Sequence, residues 1–186
     1  MVAPEGDWEQ RLSGAGWSLD EGTAHAGQGT RNRRLVFAGT FLELLWVADR
    51  VEAAANPVRL DLRADWRTTG ASPFGFGFRG ELPAEARSEF WLYEDLGIPI
   101  WVHRDNERAP ERPLVFIVPA LQRRDGREPL RTVRLTAPAP TRLPSYGGAP
   151  IDHEPGSHGL ELQVGDGPAL AVTELLVLTG GPAPPP

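Results

Sequence analysis

His25-Ala26-Gly27-Gln28-Gly29-Thr30-Arg31-Asn32, running into strand-like stretches at 34–38 and 40–47 on either side of Gly39, is the passage on which the fold turns. A glycine-rich turn followed by two alternating runs reads as a β-hairpin. Alternation puts Phe41, Glu43, Leu45 and Val47 on one face and Leu42, Leu44 and Trp46 on the other. Both faces are apolar around Glu43. A buried carboxylate must be paired, protonated or metal-bound, so Glu43 is either a ligand or acid-base group or is neutralised by an arginine such as Arg31 or Arg34.

Outward from the hairpin, strand patterns recur at residues 57–63, 74–79, 98–103, 114–118, 131–136, 160–164 and 169–178, separated by Gly, Pro and Asp turns. The last two, joined by Gly165-Asp166-Gly167-Pro168, form a hairpin pattern. A short amphipathic helix is expected around Trp8 and Leu12, ended by Gly14 and Gly16, and a second over 83–93. The 21 glycines and 19 prolines leave little room for long helices. The segment 137–157 reads as a long surface loop and 180–186 as a proline-rich tail. The expected fold class is α+β, with a curved and largely antiparallel sheet and one or two short helices.

The 186 residues suffice for one domain or two small modules sharing a core. All 19 basic residues are arginine and there is no cysteine. That excludes Schiff-base lysine chemistry, a phosphate-loop lysine, thiol nucleophiles, thiolate metal sites and disulfides. A net charge of -6 argues against nucleic acid or an anionic membrane as partner. No apolar run approaches the roughly 20 residues of a spanning helix, and no signal peptide is evident, so a soluble cytoplasmic protein is expected.

The residues from His25 to Asn32, with Thr40-Phe41-Leu42-Glu43-Leu44 beyond them, resemble the glyoxalase-like branch of the vicinal oxygen chelate superfamily, in which a Gly-Thr-x-Asn turn leads into such a hairpin. Ser72-Pro73-Phe74-Gly75-Phe76-Gly77-Phe78-Arg79 resembles the strand that opens the second half of those proteins, and the run from Pro113 to Ile117 a later one. The resemblance implies one domain of two βαβββ-like modules, about 1–55 and 56–179, cupped around a ligand cavity. It also implies one divalent metal (Mn, Fe, Ni or Zn) held by a histidine on the first strand and a glutamate on the last strand of each module. Glu43 falls on that glutamate position. The chain begins where the first helix should begin, so the first strand with its histidine is expected to be missing. The second module offers Phe74 or Phe76 at the matching place, and Glu161 and Glu174 are the remaining carboxylate candidates.

His103 is placed by alternation on the same face as Trp101, at a strand end, where either a pocket wall or a structural role fits. His153 and His158 sit in the presumed loop. The Phe74-Phe76-Phe78 face reads as core packing or as a pocket floor, with the glycines giving space for a backbone or a ligand. Three functions follow as expectations. The first is binding of a small carbonyl- or carboxylate-bearing molecule beside an incomplete metal site, by His25, Arg31, Asn32, Phe74, Phe76, Trp101 and His103. The second is a metal-dependent lyase, isomerase or dioxygenase with Glu43 as ligand or base. The third is a non-enzymatic module that forms a homodimer by pairing an open sheet edge.

Overall fold

A computed structural model describes residues 8–95, 97–118, 128–139, 143, 145–146 and 148–173. Helix α1 (Trp8–Gly14) precedes a three-stranded antiparallel sheet of β1 (Thr23–His25), β2 (Thr30–Phe37) and β3 (Thr40–Val47). Gly39, at φ 76°, supplies the left-handed turn that the β2–β3 hairpin needs. Trp8 and Leu12, four residues apart on one helix face, bury themselves against Leu35, Phe37 and Leu44, and the Trp8 and Trp46 rings lie 5.9 Å apart. The α1 side of the sheet is therefore closed, and the side carrying Glu43 is left facing the other half of the chain.

Three short helices follow, α2 (Arg50–Ala55), α3 (Leu60–Ala64) and α4 (Trp66–Thr69). Then comes a second sheet in the order β4-β7-β6-β5, built from β4 (Gly75–Arg79), β5 (Phe90–Asp95), β6 (Ile98–His103) and β7 (Leu114–Val118). A 3-10 helix, Ala84–Glu89, precedes β5, and α5 (Asp105–Arg108) sits between β6 and β7. β4 runs parallel to β7 while the other pairs are antiparallel. One strand, a helical crossover and a three-strand meander returning beside the first strand make a complete βαβββ unit. The first sheet has the same meander order, with no strand beyond β3 among the described residues.

A third sheet, in the order β12-β11-β8-β10-β9, comprises β8 (Leu130–Ala137), β9 (Ser145–Tyr146), β10 (Ala149–Pro155), β11 (Gly159–Val164) and β12 (Leu170–Ala171). Val133, Leu135 and Ala137 of β8 and Leu160, Leu162 and Val164 of β11 meet the α1 side of the first sheet in the main core. A smaller core gathers Val58, Leu60, Tyr93, Val102 and Leu114. Each fully buried aliphatic side chain contributes roughly 1.5–3 kcal/mol.

The α+β class with mostly antiparallel sheets and short helices stands as expected, and β3, β6 and β7 match their expected spans end to end. Four local expectations do not hold, one being the strand over 169–178, which is strand only at Leu170–Ala171 and helical at 172–173, with 174–178 outside the described residues. Residues 57–63 are not a strand: Asn56 Oδ1 accepts the Val58 amide at 3.0 Å, Arg59 takes φ 55°, and the chain turns into α3. Residues 137–157 are not simply a loop, because β10 pairs in parallel with β8 from Ile151↔Val133 to Pro155↔Ala137. The helix expected over 83–93 is a 3-10 helix that gives way to β5 at Phe90. Glu174 and 180–186 lie outside the described residues.

Candidate functional site

The open side of the first sheet carries a continuous polar network. Cross-strand register sets Thr23 opposite Asn32, His25 opposite Thr30 and Arg34 opposite Glu43. Asn32, 1% exposed, is its hub. Its Oδ1 accepts the Thr23 amide at 2.8 Å, and its Nδ2 donates to Glu43 Oε1 and to His25 Nε2, the latter at 3.2 Å. Thr30 Oγ1 donates to Gln28 Oε1 at 2.6 Å and lies 3.0 Å from His25 Nδ1. Because the Thr30 hydroxyl spends its only proton on Gln28, it accepts from His25 Nδ1–H, and Nε2 is left as an acceptor. The network thereby selects one tautomer of His25.

Arg34 supplies the charge balance. Its Nε donates to Glu43 Oε1 at 3.2 Å, one terminal nitrogen to Asp20 Oδ2 at 3.1 Å and the other to Thr23 Oγ1 at 3.2 Å. Glu43 Oε2 has no partner among the described residues and remains available to a donor or a proton. The turn that presents Gln28 is tied to α2, since the Gly27 amide donates to Glu52 Oε1 at 2.6 Å and Asn56 Nδ2 donates to the Gly27 carbonyl at 2.7 Å. Asn56 Nδ2 also donates to Tyr93 Oη at 2.8 Å, which ties this turn to β5 of the second sheet.

Facing the network is a cavity of about 750 Å³. Its polar wall includes Thr23, His25, Gln28, Arg34 and Glu43, while Leu45, Ile100, Val102, Leu114 and Phe116 make it largely apolar elsewhere. On the second sheet Trp91, Val102, Phe116 and Gly77 stand directly opposite one another across its four strands. Gly77 makes room for the Phe116 ring: a Cβ there would stand 2.5 Å from the ring. Phe74 and Phe76 line part of the cavity and also belong to the main core, on the face of β4 opposite the glycines.

His25 and Glu43 thus meet through Asn32, as a site built on the hairpin requires. Arg31 is exposed and, next to Asn32 in β2, points to the opposite face. Trp101 and His103 lie on the far face of β6 from Ile100 and Val102 and are not among the cavity-lining residues. Trp101 stacks with Arg87 at 5.9 Å, and His103 meets the Phe90 ring at 4.9 Å and accepts the Asp105 amide at 3.1 Å. His158 Nε2 donates to the Gly70 carbonyl at 3.3 Å, and its ring meets that of Trp66 edge-on at 6.1 Å. Glu161 is ion-paired with Arg134 at 2.6 Å.

Sequence reasoning missed Arg63. It is 3% exposed, lines the cavity, and donates to Asn106 Oδ1, to the Ser72 carbonyl at 2.7 Å and to the Arg112 carbonyl at 3.1 Å. Burial pulls its guanidinium down to about 10, against the weaker opposing pull of Glu111. The i, i+3 spacing of buried Leu60 and Arg63 is a helical signal that alternation at 58, 60 and 62 obscured.

A sheet pair built on one complete βαβββ unit and one matching meander, enclosing a cavity with a carboxylate on the last strand of the first unit, defines a cupped-sheet domain of the vicinal oxygen chelate class. A family model, the glyoxalase-like domain, matches residues 7–161, and the chain belongs to that family. No curated protein and no solved structure matches the chain significantly.

The family implies a divalent metal, and the donor set at Glu43 does not fit one. Among the described residues no three His, Asp or Glu side chains converge to hold an ion. Glu43 Oε1 already accepts from Asn32 and from the Arg34 cation, which would repel a second positive charge.

Proposed function

We propose that this chain binds a small carbonyl- or carboxylate-bearing molecule in the cavity between the first two sheets, without relying on a resident metal. The observation that supports the reading is the polar wall on the first sheet, with Glu43 Oε2 unpartnered among the described residues beside an Asn32-His25-Thr30-Gln28 network, on a cavity that is otherwise mostly apolar. A few convergent polar groups on an apolar, preformed cavity orient a small ligand. Glu43 would accept a hydrogen bond from a hydroxyl or take up a proton there, and it is the residue best placed for proton transfer if turnover occurs. Asn32 and Arg34 keep it in place.

The test is a thermal-shift panel of small aldehydes, α-keto acids and α-hydroxy acids against wild type and Leu45→Trp, which fills the cavity from β3. Stabilisation of wild type by panel members, lost in Leu45→Trp, is the expected result. Shifts that persist in a folded Leu45→Trp would place the ligand elsewhere, and no shift in wild type would remove the reading.

A further inference from the structure

Arg63 is the buried cation of the cavity wall that no carboxylate contacts among the described residues, whereas Arg79, which also lines the cavity, is exposed at the end of β4. Arg34 is spent on Asp20 and Glu43, and Arg31 is turned away. Arg63, by contrast, forms no ion pair among the described residues although it is 3% exposed. Its acceptors are all uncharged: the Asn106 amide oxygen and the carbonyls of Ser72 and Arg112, the residues that lead into β4 and β7. Of five guanidinium hydrogens these bonds use four, and one on the NH2 nitrogen has no acceptor among the described residues.

A buried charge without a counter-ion is costly unless something supplies one. Neutral carbonyls hold the guanidinium's orientation without cancelling its charge. An anion entering the cavity would cancel it, and a guanidinium in a low-dielectric wall is well suited to bind a carboxylate. Glu111 acts on the guanidinium only from a distance and forms no ion pair with it, so one contacting negative charge is what the site lacks. The neighbouring wall, with Leu60, Pro73 and Leu114, calls for an apolar body attached to it.

We propose that Arg63 is the anion-recognising residue of the cavity, and that the ligand is a monoanionic carboxylate with an apolar body, its carboxylate on Arg63 and its uncharged remainder along the Phe116 wall. This rests on the cavity-binding reading above and narrows the ligand class within it. Arg63 is also a positioning residue for the loops entering β4 and β7, so the test must separate charge recognition from structural support.

The experiment is calorimetric titration of the full chain at pH 7 with 4-phenylbutyrate and with its neutral isostere 4-phenylbutyramide. Wild type should bind the acid at least tenfold more tightly than the amide. Arg63→Gln should lose that preference while keeping its weak affinity for the amide. Should Arg63→Gln fail to fold, Arg63→Lys keeps the charge but not the planar fork, and should weaken the acid several-fold without changing the amide. Equal affinity of wild type for acid and amide would overturn the assignment while leaving cavity binding intact. So would a preference that survives in folded Arg63→Gln, or unchanged acid affinity in Arg63→Lys. Binding of neither probe would overturn the assignment of Arg63, whereas the cavity reading stands or falls on the thermal-shift panel.

Discussion

Arg34 on β2 and Glu43 on β3 are direct cross-strand partners, and the guanidinium that contacts Glu43 Oε1 at 3.2 Å also holds Asp20 at 3.1 Å. One cation thus serves two carboxylates on the wall of the cavity. The consequence is that Glu43 owes its place to charge balance within the protein, and on the proposed reading its second oxygen is what a ligand would meet.

Arg34→Met should therefore expose the repulsion that the arginine suppresses. Breaking a buried pair costs roughly 3–5 kcal/mol and an exposed one roughly 0–1. Side chains 13%, 20% and 29% exposed lie between these limits, so a loss of about 2 kcal/mol in urea denaturation is expected. Adding Glu43→Gln should recover about 1 kcal/mol of that loss, the coupling of a contacting pair. Strict additivity of the two substitutions would show that the pair is not coupled.

The turn that carries Gln28 offers a paired comparison. Gly27 and Gly29 have φ of 84° and 68°, but only Gly29 is crowded: a Cβ there would stand 2.5 Å from the Ala53 nitrogen. Gly27→Ala meets open space and should cost about 1–2 kcal/mol, the penalty of the left-handed conformation alone. Gly29→Ala adds backbone overlap and should cost about 2–4 kcal/mol. Equal Tm losses in thermal unfolding would contradict the close approach of this turn to α2.

His158 gives the stability a dependence on pH. Burial holds its imidazole below the ordinary value of 6.5, helped by the charge of Arg63 and opposed by the Gly70 carbonyl and Glu111. The unfolded chain then binds the proton more readily than the folded one, so stability is full above 6.5 and falls as pH drops from there through the lower folded value. The urea midpoint of wild type should decline between pH 7.5 and 5, and His158→Gln should make that decline smaller. An identical decline in the variant would remove His158 as its source.

What was legible in the sequence is where alternation and terminators agree. β3 reads end to end because Gly39 and Asp49 bracket an uninterrupted alternation, and Glu43 stands out because apolar residues flank it on both faces. Residues 57–63 mislead because Val58, Leu60 and Leu62 alternate as a strand would, while a five-residue helix is too short to show a period of its own. β10 is hidden because Pro150 and Pro155 look like loop residues. Parallel pairing with β8 is a long-range fact with no local signature. Arg63 was hidden with its helix, since only the fold shows that an arginine in that stretch is buried against the mouths of two strands.

On the proposed reading, the Gly-Phe-Gly-Phe run of β4 bears on ligand binding. Its phenylalanines join the main core, whereas Gly77 lies under the Phe116 ring on the opposite face. A methyl at Gly77 would come within 2.5 Å of Phe116 Cζ, the far end of a side chain that can swing, so the backbone need not move. The ring must then shift toward the cavity it lines. Because a side chain absorbs the strain, Gly77→Ala should cost about 1 kcal/mol, the low end for overpacking. The lost volume should weaken 4-phenylbutyrate binding by about tenfold, the effect of roughly 1.4 kcal/mol. Phe116→Leu in the Gly77→Ala background removes the displaced ring and should restore much of that affinity. Calorimetric titration of both variants checks it, and unchanged affinity in Gly77→Ala would mean that the ligand does not occupy the space beside Phe116.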